Sequence, residues 1–250
     1  MIGEKEKEML ADVHNHIIYG VDDGASDEEA TMSLIKIARQ NDTRIICFTP
    51  HVYPEYFGDN AERIVRHFEK IKTAAAGLFP DMYFFLGSEI HFTPSTLNWI
   101  RDKKAFTMNG TDTVLIEFDT GDELNKIIKA ISQLLNSGYR PVIAHPERYV
   151  HFCSAYKEMD RMKYDGVLLQ CDSGAFTGDF GFGQKHKSKG LLKRGLVDLI
   201  ASDAHSVNGR NSDLSRCVSF IEDSVGERYC RSLFYKKPLE VLGLKDRSDS

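Results

Sequence analysis

Seven short runs rich in Val, Ile, Leu and Phe recur along the chain, at residues 9–13, 44–48, 82–86, 113–116, 141–144, 166–170 and 197–201. Most positions in each run are apolar, as in parallel strands that are covered on both faces. The stretches between them read as helices. Ser26 and Glu29 have capping-box spacing before a stripe of Ala30, Leu34, Ile37 and Ala38. Asn60 stands where it would cap a helix carrying Ile64, Phe68 and Ile71 and stopping near Gly77. Asp122 does the same for Leu124, Ile127, Ile128, Ile131, Leu134 and Leu135, with Gly138 at the C-terminal stop. Residues 184–194 and 213–234 also read as helical. Seven βα units without a composition shift predict one α/β domain over residues 9–244, with polar, frayed tails at 1–8 and 245–250. Such units either close into a barrel or stay open as a doubly wound sheet, and periodicity alone does not choose.

Charge and cysteine usage exclude several function classes. The 32 basic and 37 acidic residues leave a formal charge of −5, which argues against a general nucleic-acid binder. No apolar run approaches the ~20 residues that cross a bilayer. The first ten residues mix acids and bases around no apolar signal core, and no lipidation box closes the chain. The expectation is a soluble, cytoplasmic protein with no membrane insertion; the oligomeric state is left open. Five cysteines, with no C-x-x-C pair, suit a reducing compartment and exclude a thiolate zinc knuckle. None is followed six positions later by arginine, so the phosphate loop of cysteine-dependent tyrosine phosphatases is missing.

Polar residues concentrate where the apolar runs end. The first run leads into His14-Asn15-His16, the second into Thr49-Pro50-His51, and the third into Gly87-Ser88-Glu89. The fourth ends at Glu117, the fifth at His145, and the seventh at Asp203-Ala204-His205. In an α/β barrel these ends gather at one mouth. Residues at i and i+2 share a face, so His14 with His16, and Asp203 with His205, each offer two ligands to one site. Taken singly, a His-x-His or a strand-end glutamate is ordinary. Five of the nine histidines and three acids in this position together point to a metal cluster. Imidazole and carboxylate ligands without thiolate suit Mn, Fe or Zn. His67 and His186 read as surface residues, His151 as either, and His91 as less favoured because the chain there is leaving its strand.

Within these blocks, D-V-H-N-H-I-I-Y-G-V-D-D-G (12–24) resembles the opening motif of the polymerase and histidinol phosphatase (PHP) superfamily. The chain is most similar to its branch of manganese-dependent bacterial protein-tyrosine phosphatases encoded with capsule and exopolysaccharide genes. G-S-E-I (87–90), L-I-E-F (115–118), P-V-I-A-H-P-E-R-Y (141–149) and I-A-S-D-A-H-S-V-N-G-R (200–210) follow in order. The resemblance implies a distorted seven-stranded, TIM-like (β/α) barrel of PHP type holding three metals, Mn by expectation, with Fe, Zn or Mg as alternatives. It implies that His14, His16, Glu89 and Asp203 bind one metal, and Asp23, His51 and His205 a second. Glu89 again, with Glu117 and His145, binds the third. Asp22 competes with Asp23, which is preferred because it directly precedes the glycine. Arg148 and Arg210 match the arginines that hold phosphate. The segment 52–58 departs from several relatives in carrying no basic residue.

The implied activity is hydrolysis of phosphate from protein phosphotyrosine, in regulation of capsular or extracellular polysaccharide synthesis. The implied substrate is a bacterial tyrosine autokinase. The alternatives are a small-metabolite phosphatase of histidinol-phosphatase type and a non-catalytic interaction module; the complete ligand set counts against the latter. Tyr53, Tyr56 and Phe57 read either as loop packing or as an aromatic lip for the tyrosine ring.

Overall fold

A computed structural model describes residues 9–246. The expected tail at 1–8 and residues 247–250 of the other tail lie outside the described residues. All seven apolar runs form strands: β1 (Leu10–Asp12), β2 (Thr43–Phe48), β4 (Tyr83–Leu86), β6 (Thr113–Glu117), β7 (Arg140–Ala144), β8 (Leu168–Asp172) and β9 (Leu199–Ala201). Two further strands, β3 (His51–Val52) and β5 (Glu89–His91), lie just beyond β2 and β4. The first break falls at Thr49-Pro50, where proline has no N–H to donate, and the second at Gly87-Ser88.

Every strand pairing is parallel. The expected seven-stranded ring is not what the ladders form. The strands divide into a sheet of order β1-β2-β4 and a sheet of order β3-β5-β6-β7-β8-β9, and neither closes on itself. Backbone bonds join the two sheets at both margins. At one, His16 N donates to Ala204 O (2.8 Å), Asp203 N donates to His14 O (2.9 Å), and Asn15 bridges Ala204 in parallel. At the other, Gly87 N donates to Phe48 O (2.8 Å) as the β2–β4 pairing ends, and Glu89 N, in β5, donates to Thr49 O (3.3 Å), carrying the pairing on into the second sheet.

Alternation along the strands explains why both faces are apolar. Ala11, Val13, Ile45, Cys47, Leu115, Val142, Ala144, Leu168, Leu199 and Ala201 share one buried cluster. Their neighbours Ile46, Phe48, Val114, Ile116, Ile143, Leu169 and Ile200 belong to a second. Helix residues Leu34, Ile35, Ile64, Phe68, Ile131 and Leu134 pack into that second cluster. The first cluster is completed from the chain's C-terminal segment by Tyr235, Leu239, Val241 and Leu242. Asn109 Nδ2 donates to Leu242 O (2.9 Å), and Thr111 Oγ1 to Val241 O (3.0 Å), fixing the segment there.

Helix starts differ from the expected ones in detail. Helix Glu28–Gln40 is capped by Asp27, whose carboxylate accepts from Ala30 N (2.8 Å); Ser26 only supports that carboxylate (2.9 Å). Before helix Ala61–Leu78, Asn60 makes no side-chain cap and instead donates to Val21 O (2.9 Å) and His51 O (3.1 Å). Helix Leu124–Asn136 follows Glu123, and Asp122 Oδ2 accepts from Asp119 N (3.3 Å). The expected 184–194 helix is Gly181–Lys193, with Arg194 as its C-cap. The expected 213–234 helix divides at Gly226 (φ +83°) into Ser215–Val225 and Glu227–Arg231, and a π-helical stretch, Ser232–Lys236, leads into Lys237–Val241. Among the described residues no helix is long and apolar enough to cross a membrane.

Candidate active site

The strand ends deliver their polar side chains to one place. His14 and His16 bring their Nε2 atoms within 3.3 Å of each other. Glu89 Oε2 lies 3.2 Å from His14 Nε2, 3.1 Å from His16 Nε2 and 3.2 Å from His51 Nδ1. The other oxygen, Oε1, lies 2.8 Å from His145 Nε2, and Glu117 Oε1 is 3.6 Å from that nitrogen. Asp203 Oδ1 lies 3.4 Å from His16 Nε2 and 3.6 Å from His14 Nε2. His145 (φ +33°) and Asp203 (φ +50°) take left-handed backbone at their strand ends. Such a conformation costs a non-glycine residue about 1–3 kcal/mol and recurs at functional sites.

Among the described residues, three groups of donors are close enough to hold ions: His14, His16 and Glu89; His51, Glu89 and Glu117; and His16, Asp23, His51 and His205. Glu89 belongs to two of them. Asp22 and Asp23 play different parts. Asp22 is turned inward, accepting from His51 N (2.9 Å) and Gly24 N (3.0 Å) and meeting His16 Nδ1 at 2.9 Å. Asp23 is 56% exposed and points between His51 Nε2 and His205 Nε2, 3.7 Å from each.

The hydrogen bonds behind the cluster decide where the imidazole protons sit. His14 Nδ1 donates to Gln170 Oε1 (2.6 Å), and Gln170 is oriented by donating Nε2–H to Asp172 Oδ1 (3.2 Å). His16 Nδ1 donates to Asp22. Neutral His14 and His16 therefore direct Nε2 lone pairs at the Glu89 and Asp203 oxygens, an arrangement that demands a cation between them. Without one, protons are drawn in. Burial opposes charging His14, but Glu89 and Asp203 outweigh it and push its pKa up to about 9. Burial likewise favours a neutral Glu89, yet His14 and His51 hold it well below the usual carboxylate range. His51 Nδ1 is buried without a hydrogen bond, although Glu89 is close. A pool of oxygen and imidazole donors with no thiolate fits hard or borderline divalent ions.

Arg148 and Arg210 are half-buried beside this cluster rather than free surface charges. Both donate to Asp203 Oδ2, and Arg148 Nη2 also donates to Asp172 Oδ2 (2.5 Å). The mouth is aromatic. Tyr53 stacks on His91 (3.8 Å between ring centres), Phe57 stacks on His51 (5.5 Å), and Tyr56 is 74% exposed. A cavity of about 600 Å³ opens past Tyr53 and His91 towards Lys126 and Lys129.

His91, less favoured from the sequence because the chain there reads as leaving its strand, is the last residue of β5 and is buried, 3.4 Å from Glu117 Oε2. Other residues of the site went unread in the sequence. Gln170, Asp172, Glu147 and Asp12 form the buried layer behind the cluster. Glu147 accepts from Asp172 N (2.9 Å), and burial with the Asp172 charge raises it to about 7. Asp12 accepts from Ser202 N (3.0 Å) and Oγ (2.6 Å). The available signal was the alternation of Gln170 and Asp172 at the end of an otherwise apolar strand. His67 is not a simple surface residue: its Nδ1 donates to Tyr19 O (2.9 Å) and its ring stacks on Tyr19. His151 and His186 are exposed. All five cysteines are buried, and burial pushes the thiols of Cys47, Cys171 and Cys217 up, away from thiolate.

Similar proteins share this arrangement of chain. The chain is 28% identical over 238 residues to tyrosine-protein phosphatase CpsB of Streptococcus pneumoniae, covering 93% of this chain and 98% of the relative. A solved structure from work on YwqE of Bacillus subtilis and CpsB of S. pneumoniae, described as metal-dependent tyrosine phosphatases, superposes with TM-score 0.84 at 24% identity. The match covers 94% of this chain and 96% of that one. Histidinol phosphate phosphatase of Lactococcus lactis, solved with Zn, histidinol and phosphate, matches less well, with TM-score 0.54 at 15% identity over 87% of this chain and 94% of that one. These structural likenesses show a shared fold. The family described as capsular polysaccharide synthesis, CpsB/CapC, matches residues 10–243, and the chain belongs to that family.

Proposed function

We propose that this protein is a metal-dependent phosphatase that removes phosphate from protein phosphotyrosine and so regulates capsular or extracellular polysaccharide synthesis. The observation that carries the reading is the pair of proton-locked imidazoles facing Glu89 and Asp203, with two guanidiniums alongside. His14, His16, Glu89 and Asp203 would hold one ion, Asp23, His51 and His205 a second, and Glu89, Glu117 and His145 a third. Manganese is the ion we assign. Curated relatives named as tyrosine-protein phosphatases support the substrate; a bacterial tyrosine autokinase is the partner we expect, and the cytoplasm the location. We infer further that β2 with β3, and β4 with β5, are interrupted single strands of a distorted seven-stranded barrel whose ladders are broken between the two sheets.

When bound, such ions offset the charge of a phosphate ester and make water acidic enough to supply a nucleophile near neutral pH. The protein's own groups do the rest. Gln170 and Asp22 keep the Nδ1 protons in place, so that His14 and His16 each present a lone pair. Arg148 and Arg210 exchange the Asp203 oxygen for phosphate oxygens, gripping the group as it is transferred. Tyr53, Tyr56 and Phe57 receive the tyrosine ring. A phenolate leaves with a pKa near ~10, which lessens the need for a general acid. The test is a side-by-side assay of a phosphotyrosine peptide and histidinol phosphate with added manganese. We expect turnover of the peptide by a large margin; preference for histidinol phosphate would assign the protein to small metabolites instead.

A further inference from the structure

Phe180 has no place among the candidate ligands, yet its ring lies against both arginines. The guanidinium carbon of Arg148 is 5.5 Å from the ring centre and that of Arg210 is 5.9 Å. The local sequence builds this position. Helix Ser173–Thr177 ends where Gly178 N and Asp179 N both donate to Gly174 O (3.0 and 2.9 Å). Gly178 (φ +97°) and Gly181 (φ +86°) bracket Asp179-Phe180 with left-handed backbone, which only glycine adopts freely. The turn folds the ring back onto Gly174, where a Cβ would lie 2.8 Å from Phe180 Cζ and 2.9 Å from Cε2. The ring thus occupies the space a side chain at 174 would fill.

The two guanidiniums converge on one oxygen, Asp203 Oδ2. Like charges held this close repel, and Asp203 is itself a candidate metal ligand. An aromatic face attracts both cations without consuming their N–H groups, which stay available for phosphate.

We infer that Phe180, seated on Gly174, is a positioning residue: a shared aromatic platform that holds Arg148 and Arg210 side by side for the phosphate. The inference rests on the phosphatase reading above.

The test uses the full-length, manganese-loaded protein and reads kcat and KM on a phosphotyrosine peptide, inhibition by inorganic phosphate, metal content and Tm. Phe180→Leu should weaken phosphate inhibition and lower kcat/KM by about 5- to 30-fold, the span of one or two kcal/mol, with metal content unchanged. Phe180→Tyr keeps the ring face and should stay near wild type. Gly174→Ala, at a helical position whose backbone alanine can adopt, should displace the ring and act in the same direction. In a Phe180→Ala background the alanine at 174 should add nothing, because the two residues act as one unit. Wild-type phosphate inhibition in Phe180→Leu would overturn the platform, as would full additivity of the 174 and 180 changes. A loss that tracks metal content or Tm would reassign Phe180 to packing. Wild-type protein inert towards phosphotyrosine would instead overturn the functional reading, so the two failures are distinguishable.

Discussion

At the scale of single residues, Gly24 carries as much of the site's geometry as any ligand. A Cβ there would lie 1.7 Å from His16 O, a backbone atom that no side-chain rotation relieves. Gly24→Ala must therefore move the 22–24 loop, taking Asp22 off His16 and Asp23 away from His51 and His205. A displacement of about 1 Å at a reacting centre costs roughly a hundredfold, so phosphatase turnover should fall at least that far, with metal content reduced on the same samples. The arginines make a different prediction. Lysine keeps the charge but offers a point donor in place of a planar fork. Arg148→Lys and Arg210→Lys should each lower kcat/KM about ten- to a thousandfold, as loss of one preorganised donor does, while elemental analysis finds the metal unchanged. Wild-type kinetics in both would remove them from the phosphate site. The strand-end ligands were legible because they directly follow apolar runs, whereas Asp23 and the two arginines came only from the family resemblance. The sequence did not separate Asp22 from Asp23, since adjacent carboxylates differ only in which way a loop turns them.

At the scale of elements, strands β1, β2, β4, β6, β7, β8 and β9 were legible because burial on both faces leaves a continuous apolar run. Strands β3 and β5 were not, because His51, Glu89 and His91 are polar and the pieces are only two and three residues long. The first cap shifted by a residue because Ser26-Asp27 offers two adjacent capping side chains, whereas helix Leu124–Asn136 starts after Glu123 with no side-chain cap bond. Strand β8 shows what pattern reading passes over. It supplies no candidate ligand, so nothing flagged it, yet Gln170 and Asp172 fix the His14 proton and anchor Arg148. Gln170→Leu should lower manganese affinity by about 10- to 100-fold, the usual cost of losing a hydrogen bond behind a ligating histidine. Metal titration of the stripped protein reads this directly, and unchanged affinity would take Gln170 out of that role.

At the scale of the whole molecule, the site is also a junction. Its residues come from both sheets, and the two sheets meet beside it through the Asn15–Ala204 bridge and the Glu89 N bond to Thr49 O. Ions bound there would tie the halves together, so chelation should lower Tm by about 5 °C or more, recoverable with manganese. A melting curve indifferent to chelator and metal would show that the bridges alone suffice.

The C-terminal segment that completes the inner cluster has a consequence for how the protein is made. Tyr235, Leu239, Val241 and Leu242 fill space between strands that start as early as Leu10. A nascent chain thus carries its first strands unsealed until residues 235–242 leave the ribosome. Contacts so distant along the chain form late and slowly. Folding of the early strands is therefore expected to wait until residues 235–242 have emerged, with the unfinished chain dependent on chaperones. A chain stopped at Arg231 should remain protease-sensitive, whatever metal is supplied.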